Sequence, residues 1–246
     1  MDLPTKSAES ESLAQYLSKV ESGPRKLVKL EVDFIPQSRK RWDEILVDRT
    51  TDRELAEKAI NDCYQYAELE RSRILWTENP LTAMTILANR PDLVDVGTKI
   101  LDRISSSCDR IINSQISPEF KEVVKAYGNP RAITGEDQKI AFDPLGDFLN
   151  RVSITEVKKH HPQIDPASLP AAMQDYRIAY LSYFDYFYQI GFDIPQIRPL
   201  VDLAKFCGCC WAFDNITILT PKPTAIEFNE HNELVALVYD GVNILD

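Results

Sequence analysis

The sequence predicts an α+β fold, with a mainly helical body and a small C-terminal antiparallel sheet. Three observations carry this. Apolar residues recur at helical spacing through most of the chain up to Phe206. Beyond that point come short β-like runs, Ile216–Leu219, Thr224–Asn229 and Leu234–Tyr239. Turn residues separate these runs, with Asp240-Gly241 before a last short run, as in antiparallel hairpins. Helices followed by strands, rather than the two in alternation, define the α+β class.

The first helix is predicted over Ser10–Glu21, where Leu13, Tyr16, Leu17 and Val20 share a face and Ser22-Gly23-Pro24 ends it. Val28, Leu30, Val32 and Phe34 then alternate with Lys29, Glu31 and Asp33, the pattern of a half-buried strand closed by Pro36. Residues 1–37 accordingly read as an N-terminal helix–strand extension, and 38–246 as a single domain. Thr51 and Glu54 have capping-box spacing ahead of an apolar face made of Leu55, Ala56, Ala59, Ile60, Cys63, Tyr64 and Ala67. Arg73–Trp76 reads as a brief strand, free to join the C-terminal sheet. Pro80 disfavours helix at Asn79, so a helix begins over Leu81–Ala88. Helices follow over Leu93–Ser114, Pro118–Ala126, Leu145–Lys159, Pro170–Ile190 and Ile197–Phe206. Residues 127–144 carry Gly, Pro, Asn and Asp without periodicity and form the longest predicted loop.

Composition excludes several classes. A net charge of −10 argues against a nucleic-acid partner, which requires cations to neutralise phosphates. The one short basic cluster, Ser38–Trp42, reads as a solvated surface. No apolar run is long enough for a membrane helix, so no membrane partner is expected. The polar N-terminus lacks a secretory pattern, and a cytoplasmic location is the expectation. No Walker loop, G-x-G-x-x-G, G-x-S-x-G or H-E-x-x-H occurs, so no cofactor is expected.

Chemistry is sought first in "FCGCCWAFD", Phe206–Asp214. Zinc sites use four ligands, commonly as two spaced pairs, and Cys207, Cys209 and Cys210 have no second pair downstream. Cys207 and Cys210 have C-x-x-C spacing, but at the end of a helix, where the dipole raises a thiol pKa. The stretch therefore reads as an apolar joint, no metal is expected, and Trp211 within it is a candidate for ligand contact. Cys63 and Cys108 read as small buried apolar residues. His160-His161 reads as a polar loop. On the aromatic helix, Tyr176, Tyr180, Leu181, Tyr183, Phe184, Phe187 and Tyr188 cover one arc that includes Arg177, with Ser182, Asp185 and Gln189 opposite. Two readings stand for Arg177: an internal ion pair or snorkelling, or a pocket that Arg177, Tyr180 and Tyr183 line for an anionic group. Glu78 and Asn79 lie between strand and helix, where Asn79 or Thr77 caps the helix or both side chains face a cleft.

Arg53–Leu87, with "AEKAINDCYQYAELERSRILWTENPL", and the stretch from Tyr180 to Gly241 resemble an uncharacterised bacterial domain family, domain of unknown function number six-seven-four-five. The resemblance spans roughly two thirds of the chain. It departs at Cys209 and Cys210, where the family has tryptophan, at Ala212, where it has proline, and at Asn79, where it has serine. No activity or catalytic residue comes with it. Members attached to leucine-rich or other interaction segments imply interaction or regulatory work.

The expected function is thus a non-enzymatic, regulatory module that binds a protein or peptide in an aromatic-lined cleft. The alternatives are an enzyme acting on a small anionic or peptide substrate around Arg177 and Glu78, and a toxin-like effector.

Overall fold

The computed structural model describes residues 29–116, 158–159, 162, 172–173, 178–230 and 234–245. The expected helices over 10–21 and 118–126, the 127–144 loop, most of the 145–159 helix, Arg177 and the adjacent histidines lie outside them.

The segment expected to be a strand is helical: α1 spans Lys29–Asp33 and α2 spans Ile35–Val47. The buried positions Glu31, Ser38, Trp42 and Ile45 fall seven, four and three residues apart, a helical stripe that the alternation of Val28 to Phe34 masks. Pro36, read as a strand terminator, sits instead in the first turn of α2, where a missing N–H costs nothing. α2 runs unbroken across positions 37 and 38.

The next helix, α3 (Arg53–Tyr66), is capped by Asp52, whose carboxylate accepts from Leu55 N at 3.0 Å. This corrects the expected Thr51–Glu54 box by one residue. Thr51 Oγ1 instead accepts from Lys222 N at 2.8 Å. β1 (Arg73–Trp76), α4 (Pro80–Ala88) and the long α5 (Gly97–Gln115) follow. The aromatic helix is described as α6 (Ile178–Gln189), and a 3-10 turn at Pro195–Ile197 leads into α7 (Arg198–Phe206).

The described strands form two three-stranded sheets. In the first, β3 (Ile216–Leu219) lies centrally, parallel to β1 and antiparallel to β2 (Cys210–Ala212). Its faces alternate. Ile74, Trp76, Leu219, Cys210 and Ala212 join the main core with α3, α5, α6 and α7. Leu75, Ile216, Ile218 and Trp211 join a second core with Ala83, Met84 and Leu87 of α4. Burial on both faces explains why the runs "RILW" and "ITIL" are nearly all apolar.

Of the expected C-terminal antiparallel meander, β4 (Ala225–Phe228), β5 (Leu234–Tyr239) and β6 (Val242–Asn243) form the second sheet, whereas Ile216–Leu219, expected in it, pairs in the first. Asp240 and Gly241, with φ of 46° and 83°, make the turn that "DG" predicts. Leu237, Tyr239 and Ile244 pack this sheet near Leu81 at the start of α4. The fold is α+β. No described helix is long and apolar enough to cross a membrane.

Candidate functional site

The candidate residues are not brought together among the described residues. Glu78 is exposed. Asn79 caps α4, its Oδ1 accepting from Thr82 N at 3.0 Å and from the Thr82 hydroxyl at 3.3 Å. Trp211 is buried in the second core, against α4. Tyr183 is half-buried on the main core, on the other side of the first sheet from Trp211. Its ring stands edge-on to Phe184 and Phe187, at 5.3 and 4.9 Å between centroids. Burial, with the nearby Asp109 charge adding to it, pushes its hydroxyl up to about 12. Of Tyr180 only the helical backbone is described.

The aromatic helix is buried on its polar side as well, which the sequence pattern did not indicate. Asp185, on that side, accepts from Trp42 Nε1 at 3.0 Å and Gln189 Nε2 at 2.7 Å, and pairs with the Arg41 guanidinium. Burial raises the Asp185 carboxyl above its usual range, against the opposing pull of Arg41 and these donors. The Tyr186 hydroxyl donates to Glu31 O at 2.9 Å. Of the basic cluster expected to be solvated, Lys40 is exposed, whereas Trp42 is 1% exposed and Arg41 pairs with a carboxylate from α6. Only an acidic residue among the helix's aromatics signalled this network.

Another polar anchor escaped the sequence. Lys222, 7% exposed, donates to Ile45 O at 3.0 Å and Asp48 O at 3.1 Å. It thus caps carbonyls at the C-terminal end of α2, where a cation is favoured. Burial lowers its pKa, while the Asp48 charge acts in the opposite direction.

All five cysteines are buried. Cys207 ends α7, its thiol 3.3 Å from Leu203 O, and Cys210 opens β2 with its sulfur 3.7 Å from Met173 Sδ. Burial drives the Cys63 and Cys210 thiols well above their usual range and the Cys108 thiol up to about 12. Such thiols are held protonated and are poor nucleophiles. No group of metal-ligating residues occurs among the described residues. Between these cysteines, Gly208 N donates to Thr220 O at 2.9 Å, and Cys209 N to Thr220 Oγ1 at 2.8 Å. The stretch is a tight backbone joint between α7 and the first sheet.

A groove of about 790 Å³ runs along the outer face of α5, lined by Asp95, Thr98, Lys99, Asp102, Arg103, Ser106, Ser107 and Arg110. The one-turn spacing of these residues puts them on one side of the helix. Asp95 Oδ1 accepts from Gly97 N at 2.8 Å, the Arg103 guanidinium donates to Ala67 O at the end of α3, and Ser107 Oγ accepts from Gln196 Nε2 at 3.3 Å. The lining supplies charge and hydroxyl groups, and no buried acid–base pair or activated nucleophile stands in it. No family model, curated protein or solved structure matches this chain.

Proposed function

We propose that the protein is a binding module with a regulatory role, which recognises a segment of another protein through the outer face of α5. The observation that carries this reading is the open groove with Lys99, Arg103 and Arg110 interleaved with Asp95, Asp102 and hydroxyl side chains. Exposed side chains of both signs, ranged along about 17 Å of helix from Lys99 to Arg110, suit an elongated charged partner better than a small substrate. The expected aromatic cleft contributes less. Phe184, Tyr186 and Phe187 are in the core, and Tyr183 and Tyr188 are half-buried against it.

Reversing Lys99 and Arg110 to glutamate tests the reading, since both side chains are exposed. A protein captured by the wild-type chain is reconstituted with purified wild-type and K99E/R110E chains. The reading expects the double variant to bind at least about tenfold more weakly. Equal affinity, with the variant folded by circular dichroism, would overturn it.

A further inference from the structure

The two edges of the first sheet are treated differently. Beside β2, Cys210 O accepts from Met173 N at 2.8 Å and Ala212 O from Val96 N at 2.9 Å, and Asp95 bridges to Phe213. That edge is covered. On β1, Arg73 N donates to Asn215 O at 3.2 Å and Thr77 N to Leu219 O at 2.9 Å, so the odd-numbered residues face β3. Strand geometry then turns the N–H and C=O groups of Ile74 and Trp76 outward. No backbone partner for them occurs among the described residues. This edge also lies between two apolar layers, with Ile74 and Trp76 packed on one core and Leu75 on the other.

We propose that the β1 edge is an acceptor site for an extended, acidic segment of a partner protein, which pairs with Ile74 and Trp76 as an added strand. The backbone groups select a strand, because only an extended chain presents donors and acceptors at this repeat. The charges select its composition. Arg53 lies over the Trp76 ring at 5.0 Å on one face of the sheet, and exposed Arg73 stands on the face of Leu75. Neither arginine makes an ion pair among the described residues, and the one carboxylate bonded to the strand, Glu57, which accepts from the Trp76 indole N–H at 2.8 Å, leaves positive charge in excess beside it. Glu70 and Glu78 lie beyond the two ends of the strand rather than along it. A second copy of the chain pairing through the same edge fits poorly, since it would bring its own Arg53 and Arg73 against these two. The site is separate from the α5 groove, so it fails or stands independently of that reading.

Amide exchange on the free full chain tests the open edge. Ile74 and Trp76 are expected to exchange at least tenfold faster than Leu75 and Thr77. Equal protection would show a covered edge and end the proposal. Fluorescence anisotropy with a labelled Glu-Glu-Val-Val-Glu-Glu peptide tests the occupant. Expected are binding, a loss of at least tenfold with Arg73→Glu or with Lys in place of Glu in the peptide, and abolition by N-methylating alternate peptide amides. K99E/R110E, which alters only the groove, should bind this peptide unchanged. No binding at about 1 mM, equal binding of the N-methylated peptide, or self-association that protects the Ile74 and Trp76 amides would each overturn the proposal.

Discussion

Replacing Gly208 by alanine should be among the most damaging single-methyl changes in this chain. A Cβ at that position would meet Pro221 O at 2.2 Å, Thr220 Oγ1 at 2.8 Å and Pro221 C at 3.0 Å. Two of these obstacles are backbone atoms, so no rotamer change relieves the clash, and the segments carrying Gly208 and Pro221 must separate by roughly 1 Å to restore ordinary contact. Overpacking of this kind costs about 1–3 kcal/mol. The separation also strains the bonds from Gly208 N to Thr220 O and from Cys209 N to Thr220 Oγ1. At about 1 kcal/mol each, their loss brings the total to about 3–5 kcal/mol. Gly208 is not among the residues with positive φ, so the cost is steric rather than conformational. Gly241 provides the control: its φ is +83° and nothing lies within 4 Å of an added Cβ, so Gly241→Ala carries only backbone strain, about 1 kcal/mol. Urea denaturation of the two variants reads the difference as a shift in midpoint at constant slope. Equal destabilisation would refute the argument and imply that the joint between α7 and β2 relaxes freely.

Two further outcomes follow from the polar groups of Asn79 and Asp185. Asn79→Ala should cost about 1 kcal/mol by removing the cap of α4, whereas Asn79→Ser should cost little, since serine caps equally well; similar urea midpoints for both variants would contradict this. For Asp185, the folded-state pKa is raised by burial above the ordinary 3.8, so the folded state holds the proton more tightly than the unfolded state. Its favourable contribution is present below the ordinary value and is lost as pH rises through the folded value. Wild type should therefore lose stability relative to Asp185→Asn as pH rises above the ordinary 3.8, and parallel stability–pH curves for the two proteins would sink the argument.

Local chemistry was legible in the sequence and long-range pairing was not. Asn79-Pro80 and Asp240-Gly241 act through backbone preferences a few residues long, and both behave as their composition implies. Val28 to Phe34 misled because a two-residue and a 3.6-residue period coincide over so short a window. Only the continuation through Ser38, Trp42 and Ile45 separates them. The Asp52 cap was missed by one position because threonine and aspartate are both good caps, and Thr51 is engaged instead by Lys222, far along the chain. Arg41 and Asp185 lie 144 positions apart, so no local pattern marks their pairing. The same holds for β1, whose Arg73 is paired in parallel with Ile216 of β3, far along the chain.

The described candidate residues are dispersed for a related physical reason. Tryptophan and tyrosine stand among the candidates as side chains with chemistry, yet, like the cysteines read as an apolar joint, these types also supply large or adaptable apolar surface. In this fold that second property governs Cys207, Cys210 and Trp211, whose positions are fixed by packing on the two faces of one small sheet. A sheet buried on both faces uses its side chains to build cores. What it leaves chemically available is backbone at an edge, and backbone has no signature in residue type. The four-residue run "RILW" shows this: its apolar character records double burial, and whether its outer N–H and C=O groups are covered depends on chain placed elsewhere. The covering of β2 by Met173 and Val96, without a counterpart on β1 among the described residues, is a difference that only the three-dimensional arrangement contains.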